Sequence, residues 1–577
     1  MRICVLQSSY EGSESSLQEV DTSVPNPGAF TFQHSFENRF IHKDTAKEEI
    51  DAVVAEQFDF YINFLWGTLD DDVAGIEASR YFESLGVPSA GVRSWERSWS
   101  KNDFYKNACR RGAPPVPGKE KFPLFVKPAN GCASQMIDEQ SLCHNQIELQ
   151  TALRRINERL RDSRWRRAKA LGKKDPEAYA DSYDPDSRLS DDIVVQEYIN
   201  GRDYLVSVIA MGDSALALQP CVVNTRDAPN RANFLTFDMK FDDQTRFEII
   251  CREDNPTLYD RLHEVALEAF ETGRFRHSYM GCDVDIRVRP NGEVFAIEVN
   301  PQPACFLPDE TGFADAPITE SLPGGHTAVV NIFIANYFLQ NGTLREWSKV
   351  AGIYDKMAPD YDEIVRTRSQ IDDIMRKVTR EFDFEGTVVD LACGTGGFGR
   401  LLAECQPGGH RHREGQLVGF DLSPGMVECC RTMGFYNEVY VSRMQTCLLE
   451  YTTLTKVDHI VCFSAIHFLS PEEFAFLLVS CFVIARKSIT IGVDEIPDVY
   501  NENLHQRGDS FMHSYNHLQN LEAFGKPRGW SLVSRQRQYG WNSPATKDNV
   551  YTSTFRFERV DPKSIYDVRL TRFATKN

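Results

Sequence analysis

Cys282–Pro303, CDVDIRVRPNGEVFAIEVNPQP, decides how the first half of the chain is to be read. Alternating apolar and polar residues flank Asn291–Gly292, a dipeptide that turns a hairpin, so two antiparallel strands are expected. Side chains alternate faces along a strand, which sets Asp285 opposite Glu298 and places Asn300, two residues on, on the same face. Two carboxylates and an amide oxygen make a hard-oxygen set suited to magnesium shared with nucleotide phosphates. The plainer reading is a pair of surface acids on a hairpin.

Working outward, Phe122–Lys127, FPLFVK, reads as a buried strand that ends in a lysine and opens into the small-residue loop PANGCAS. Backbone N–H groups of such a loop can approach anionic oxygens while the Lys127 ammonium adds a point charge, although most such loops are turns. DDIVVQEYINGRDYLV then carries a strand to Gln196, Glu197 and Tyr198 and turns at Asn200–Gly201 toward Asp203, an arrangement able to frame an adenosine. Farther on, Thr387–Gly399, TVVDLACGTGGFG, is a short apolar strand, a glycine-rich turn and a helical start. LVGFDL follows and ends on Asp421, an acid placed to accept hydrogen bonds from ribose hydroxyls. Strand-like and helical runs alternate along most of the chain, which predicts an α/β protein with mostly parallel sheets.

These residues carry two resemblances. The first ~340 positions are similar to the ATP-grasp superfamily, and within it to the D-alanine:D-alanine ligases. The matching blocks are RICVLQSSYEGSESSL, LWGTLDDDVAGIEASRYFESLGVPSAG, FDMKF and EVNPQP. The resemblance implies that Glu14 holds a substrate amino group, that Lys101 and Lys127 bind phosphate, and that Lys240 reaches the γ-phosphate. It also implies that Glu197 and Ile199 frame adenine, that Asp203 contacts ribose, and that Asp285, Glu298 and Asn300 hold magnesium. The chain departs from these ligases at Leu65–Trp66, where a histidine is usual, at Phe241 for a tyrosine, and at Asp283 for an arginine. An acid in place of a guanidinium reverses the local charge, which points away from D-alanine and toward a cationic or amine-bearing group or a second metal.

From about Leu344 to Val560 the chain resembles class I S-adenosylmethionine methyltransferases, with DLACGTG as their first motif. IYDKMAPDYDEIV is similar to the helix before it, and FSAIHFL to the strand end beside the transferring methyl. The resemblance implies cofactor contacts at Tyr354, Asp390, Gly394, Gly396, Asp421 and Leu422. Met444 and Gln445 stand where an acidic-small pair is usual. His467 lies at the strand end to accept a proton, against the alternative of a packed histidine beside Phe468. His505, His513 and His517 are unevenly spaced and read as structural. The fold expected is thus an ATP-grasp domain, 1–342, followed by a Rossmann-like methyltransferase domain, 343–577, divided near Gly342.

Composition narrows the class. At 577 residues the length alone suggests about four compact units. A net charge of −19 disfavours nucleic acid and anionic lipid as partners. The longest uncharged apolar run, Phe474–Ala485, is too short for a membrane span and reads as a core helix or strand. The chain opens directly on a strand-like run without a secretory pattern, which makes a cytoplasmic location the expectation. Fifteen dispersed cysteines contain no CxxC pair, against a disulfide framework or structural zinc. Ten basic residues against two acids between Arg154 and Lys174 read as a solvated helix, because Leu153, Ile156 and Leu160 keep an apolar spacing beneath them.

The expected function is bifunctional: ATP-dependent joining of an amino acid or other carboxylate to an amine, and methylation of the product or a precursor. Cofactors would be ATP, magnesium and S-adenosylmethionine, and partners small-molecule substrates, with no nucleic acid or membrane and the oligomeric state open. Two alternatives keep the same folds. One half is a silent binding module, or the first half is a kinase that releases a phosphorylated product.

Overall fold

A computed structural model describes the chain apart from residues 14–23, 68–71, 98, 131–133, 135, 171, 182–191, 225–233, 235–245, 308–314, 343–345, 406–414, 452–455, 544–545, 561–568 and 573–577. Glu14, Lys240, Phe241 and residues 131–133 of the PANGCAS loop lie outside the described residues. Contacts divide the chain into two compact units, not the four that length suggests. One is Met1–Ala210 with Ala215–Ser321 and Asp567–Thr571, and the other is Met211–Ser214 with Leu322–Tyr566 and Arg572–Asn577. The helix Gly325–Asn341 therefore goes with the second unit, whereas the sequence reading ends the first domain at 342. Its sequence is apolar on all sides, so it is buried, and it packs on the helix Pro471–Ile484. The polar stretch after it marks a helix end and not a division between cores.

The first unit opens with a four-stranded parallel sheet in the order Ser35–Ile41, Arg2–Ser8, Phe60–Phe64, Ser89–Gly91. Helices Ala46–Ala55 and Ile76–Ser84 bury Ile50, Val53 and Phe82 against it. The other two sheets are antiparallel, which corrects the expectation of mostly parallel sheets. In one, Leu124–Pro128 lies between Leu142–Cys143 and Ile193–Glu197. The helix Gln146–Ala170 covers it, with Leu153, Ile156 and Leu160 in the shared apolar cluster, as their spacing predicts. In the other, Arg246–Ile249, Cys221–Asn224, Arg202–Met211, Gly281–Val288 and Val294–Asn300 run in that order. Hairpins and the strands they join are adjacent in sequence, and alternation alone does not distinguish such a meander from parallel crossovers.

The second unit has a seven-stranded sheet in the order Glu438–Val441, Leu417–Asp421, Val388–Asp390, Val457–Cys462, Ala485–Glu495, Asn549–Arg559, Trp530–Asn542. The first five are parallel and the last two pair antiparallel. The strand order reverses at Val388–Asp390, and in doubly wound sheets ligands bind outside the carboxyl ends of the strands at such a switch point. The apolar run Phe474–Ala485 lies in the buried helix Pro471–Ile484 except for Ala485, which opens the strand Ala485–Glu495. No described helix is long and apolar enough to cross a membrane. Every described cysteine is free.

Two candidate active sites

In the first unit the hairpin forms as its sequence predicts, with Asp285 directly opposite Glu298 and Asp283 opposite Asn300. The helix Lys101–Arg111 is started by a reciprocal cap between Ser100 and Asp103, and the Lys101 N–H donates to the Ala129 carbonyl. This tie brings Lys101 beside the strand that carries Lys127. Both ammonium groups converge on Glu298: Lys101 Nζ lies 2.9 Å from Oε1 and Lys127 Nζ 3.7 Å from Oε2. Lys127 Nζ also donates to the Ile297 carbonyl at 3.4 Å. Lys127 is only 3% exposed, and burial pulls its ammonium down to about 8 against the opposing pull of Glu298. Tyr105 closes the floor, donating at 2.6 Å to Gln196 and at 2.5 Å to the Ile297 carbonyl, and burial with Glu298 and Asp285 nearby holds its hydroxyl neutral.

Other predicted residues of this unit lie close by, but their charges are engaged within the protein. Glu197 Oε1 is 2.7 Å from Arg289 Nη2, and Asp203 Oδ1 is 2.9 Å from Arg287 Nε. Ile199 is buried. Asp283 accepts from Ser207 Oγ at 2.5 Å and from the Ala304 N–H at 2.8 Å. Those bonds tie the segment after the hairpin to the central sheet, so Asp283 is a brace rather than a free charge for a substrate amine or a second metal. In place of the usual histidine, Leu65 is buried and the Trp66 N–H donates to Ser8 Oγ at 3.0 Å. The donor set of Asp285, Glu298 and Asn300 suits a hard divalent cation, since all three offer oxygen from one face of one hairpin. Among the described residues no cluster of three or more His, Cys, Asp or Glu side chains could hold a metal ion. The set is therefore two carboxylates and an amide.

In the second unit Gly394 and Gly396 take positive φ, +53° and +99°, which the turn between strand and helix requires. A Cβ on Gly396 would meet Cys430 Sγ at 3.1 Å. The Gly394 N–H donates to Asp421 Oδ2 at 2.9 Å and the Ser423 N–H to Oδ1 at 2.9 Å. Asp421 therefore stands at the glycine turn with its orientation fixed, and burial pushes its carboxyl up to about 6. Leu422 follows, half-buried. Asp355 locks the turn after it, accepting from Ser423 Oγ at 2.5 Å and from the Gly425 N–H at 2.8 Å. That places its neighbour Tyr354 on the same side as Asp421, and both Tyr354 and Tyr361 are held neutral by burial with Asp421 and Asp494 adding to it. Asp390 is different. It is 2% exposed, accepts from the Tyr436 hydroxyl at 2.6 Å and is pushed up to about 7 by burial. Its oxygen is engaged beneath the turn, so its support of a cofactor runs through Tyr436, whose hydroxyl also accepts from the Gly399 N–H.

His467, in the short helical turn Ile466–Phe468 after the strand Val457–Cys462, places Nδ1 2.8 Å from Asp494 Oδ2. Sequence reasoning left Asp494 unnamed; the signal was an acid directly after ITIGV in a buried strand. His517 is structural, as read: Nε2 is 3.0 Å from the Leu469 carbonyl, the ring stacks on Phe474, and burial pulls it down to about 3. His505 is 3.1 Å from Ser510 Oγ and His513 packs edge-on to Tyr515. Gln445 is buried and donates to Glu473 at 3.1 Å, so it is not presented to a ligand.

Residues 388–487 match a protein family described as Methyltransferase domain. Similar solved structures include the magnesium protoporphyrin IX methyltransferase of Synechocystis PCC 6803 with bound SAM. It is 14% identical, with 38% of this chain and 98% of that one covered and a TM-score of 0.27. An L-amino acid ligase from Bacillus licheniformis is 13% identical over 60% of this chain and 78% of that one, with a TM-score of 0.35. The VanG D-Ala:D-Ser ligase of Enterococcus faecalis is 14% identical over 58% and 99%, with a TM-score of 0.34. A comparison with curated proteins finds no match. The chain is a mixed α/β protein with a methyltransferase domain in its second unit, as the class I resemblance implies.

Proposed function

We propose that the chain is a bifunctional enzyme. Its first unit uses ATP to activate a carboxylate, an amino acid in the simplest case, and couples it to an amine. Its second unit methylates the product or a precursor from S-adenosylmethionine. The observation that carries the ligase reading is the convergence of Lys101 and Lys127 on Glu298, itself opposite Asp285. Lysines from a helix and from another strand meet a hairpin carboxylate that faces a second one, a cluster that phosphate and a divalent cation can enter by exchanging partners.

An amine does not usefully attack a carboxylate, because oxide is a poor leaving group and the anion repels the incoming electron pair. Transfer of a phosphoryl group to that oxygen removes both obstacles. A divalent cation on Asp285, Glu298 and Asn300 would supply charge neutralisation to the nucleotide phosphates. Lys101 and Lys127 then release Glu298 and take up phosphate oxygens, where their charge stabilises the transferring group. In the second unit Asp421 receives the ribose hydroxyls on its remaining lone pairs, and the glycine turn lets backbone approach the cofactor. Methyl transfer needs chiefly alignment of donor and acceptor.

The test incubates the full chain with ATP, magnesium, pooled amino acids and methyl-labelled S-adenosylmethionine, followed by nucleotide analysis and mass spectrometry. ADP release that depends on an amine, with a condensed and methylated product, is the expected result. Amine-independent ADP release with a phosphorylated product would replace the ligase by a kinase. No ADP under any pool would overturn the first half of the proposal.

A further inference from the structure

The side chains around His467 form a site of their own within the second unit. Asp494 is fully buried, 0% exposed, and its two oxygens are both used: Thr552 Oγ1 donates to Oδ1 at 2.6 Å, and His467 Nδ1 lies 2.8 Å from Oδ2. A carboxylate only accepts, so Nδ1 carries the proton and Nε2 is left with its lone pair. Nε2 hydrogen-bonds to no described residue and, unlike the nearby Trp541 Nε1, is not sealed from solvent, although His467 as a whole is 4% exposed. The ring is walled by aromatics: Phe468 at 4.1 Å and Trp541 at 5.8 Å between centroids, with Tyr354 at 6.1 Å from Phe468 and Tyr500 at 6.2 Å from Trp541.

Two further observations mark this place. Ser464, three residues before His467, takes a positive φ of +50° that a side-chain-bearing residue adopts at a cost, and its hydroxyl is buried with no partner. Strain and orphaned polar groups of this kind gather at binding sites. The site also belongs to the carboxyl edge of the sheet. Val457–Cys462 pairs directly with Val388–Asp390, and Tyr354 and Tyr361 sense both Asp421 and Asp494.

Resting on the methyltransferase reading, we propose that His467 Nε2 is the proton acceptor of methyl transfer, oriented by Asp494 and Thr552, and that the acceptor is a neutral O–H or N–H group on an apolar or planar scaffold. The acceptor lone pair forms the new bond to the methyl carbon as the carbon–sulfur pair returns to sulfur, giving S-adenosylhomocysteine. The acceptor proton passes to Nε2, the imidazolium is balanced by Asp494, and the proton leaves to water. A carboxylate acceptor has no proton to lose, so an oriented base would serve no purpose there. Asp494 and Thr552 are positioning residues.

The experiment uses the full chain with diethyl pyrocarbonate, which acylates unprotonated imidazole nitrogen, read by peptide mass spectrometry with and without S-adenosylhomocysteine. His467 modification that the nucleoside blocks is expected. Modification that it does not block, or none at all, overturns the proposal. In Asp494→Asn, Oδ1 continues to serve Thr552 and the amide turns an N–H toward Nδ1, moving the ring proton to Nε2. The ¹⁵N shifts of His467 then report the reversed tautomer in a chain that still binds S-adenosylhomocysteine by calorimetry, and an unchanged tautomer overturns the role of Asp494. His467→Gln is expected to lower kcat for methyl transfer about 100-fold or more with little change in KM. A methyl label stable to alkali supports the acceptor class, and label released as methanol, the mark of an ester, contradicts it. Loss of all S-adenosylhomocysteine binding by the unmodified chain would instead remove the methyltransferase reading.

Discussion

The two sites solve opposite electrostatic problems. Around Glu298 the first unit keeps opposite charges in contact, two lysines on one carboxylate, and burial pulls the Lys127 ammonium down to about 8. Around Asp421 and Asp390 the second unit keeps carboxylates and backbone N–H groups with no lysine or arginine ion pair to either acid among the described residues. Under the proposed function the first site takes a polyanion and must carry countercharge that changes partners when the ligand arrives. The second takes a sulfonium nucleoside and needs only fixed acceptors, which burial holds at raised pKa values. Each variant below separates the two designs.

The largest effect is expected at Lys127→Ala. It removes a buried charge from the ligand side and leaves Glu298 to Lys101 alone, so ADP formation should fall about 100-fold or more. Binding of S-adenosylhomocysteine by the same protein should be unchanged, and a parallel loss of both would break the separation. Next is Asp421→Asn, which retains size but not charge. The amide loses one acceptor site for ribose, and affinity for S-adenosylhomocysteine measured by calorimetry should weaken about 10- to 100-fold with ADP formation unaffected.

These two effects also show how far the sequence reaches. The register that sets Asp285 opposite Glu298, with Asn300 two residues on, was legible because strand alternation and an Asn–Gly turn fix a hairpin locally. Asp421 was legible because it ends the strand after a glycine-rich turn. The role of Asp283 was not legible, since its partners Ser207 and Ala304 come from another strand and from the segment beyond the hairpin. Nor was the orientation of His467, because Asp494 lies a strand away and Thr552 on the strand paired to it. Asp390 was placed on the cofactor, yet Tyr436, which takes up its oxygen, stands in a different βα unit. Parallel and antiparallel sheets share the same local pattern, so the meander of the first unit emerged only with its pairing.

A smaller effect is expected from Asp390→Asn, and it appears as a change in pH dependence. The folded state raises this carboxyl from 3.8 to about 7, so it favours the protonated form. The associated stability is present below pH 3.8 and is lost as pH rises through about 7. Asparagine keeps an acceptor for Tyr436 without ionising. Urea unfolding of the second unit should therefore lose much of its decline between pH 4 and 7, a difference of roughly 2–4 kcal/mol by pH 8. Equal slopes in both proteins would contradict a buried, ionisable Asp390. The smallest effect belongs to Arg166→Ala. Its partner Asp162 is one turn away on the exposed face of the helix Gln146–Ala170, and stability should change by less than about 0.5 kcal/mol.

The account depends most on a divalent ion held by the hairpin when nucleotide is bound. Electron paramagnetic resonance of Mn²⁺ with ADP tests it directly, comparing the unmodified chain with an Asp285→Asn, Glu298→Gln double variant that still binds S-adenosylhomocysteine. Nucleotide-dependent bound Mn²⁺ in the first protein and its loss in the second is the predicted result. Equal Mn²⁺ binding in both, or none in either, would contradict it.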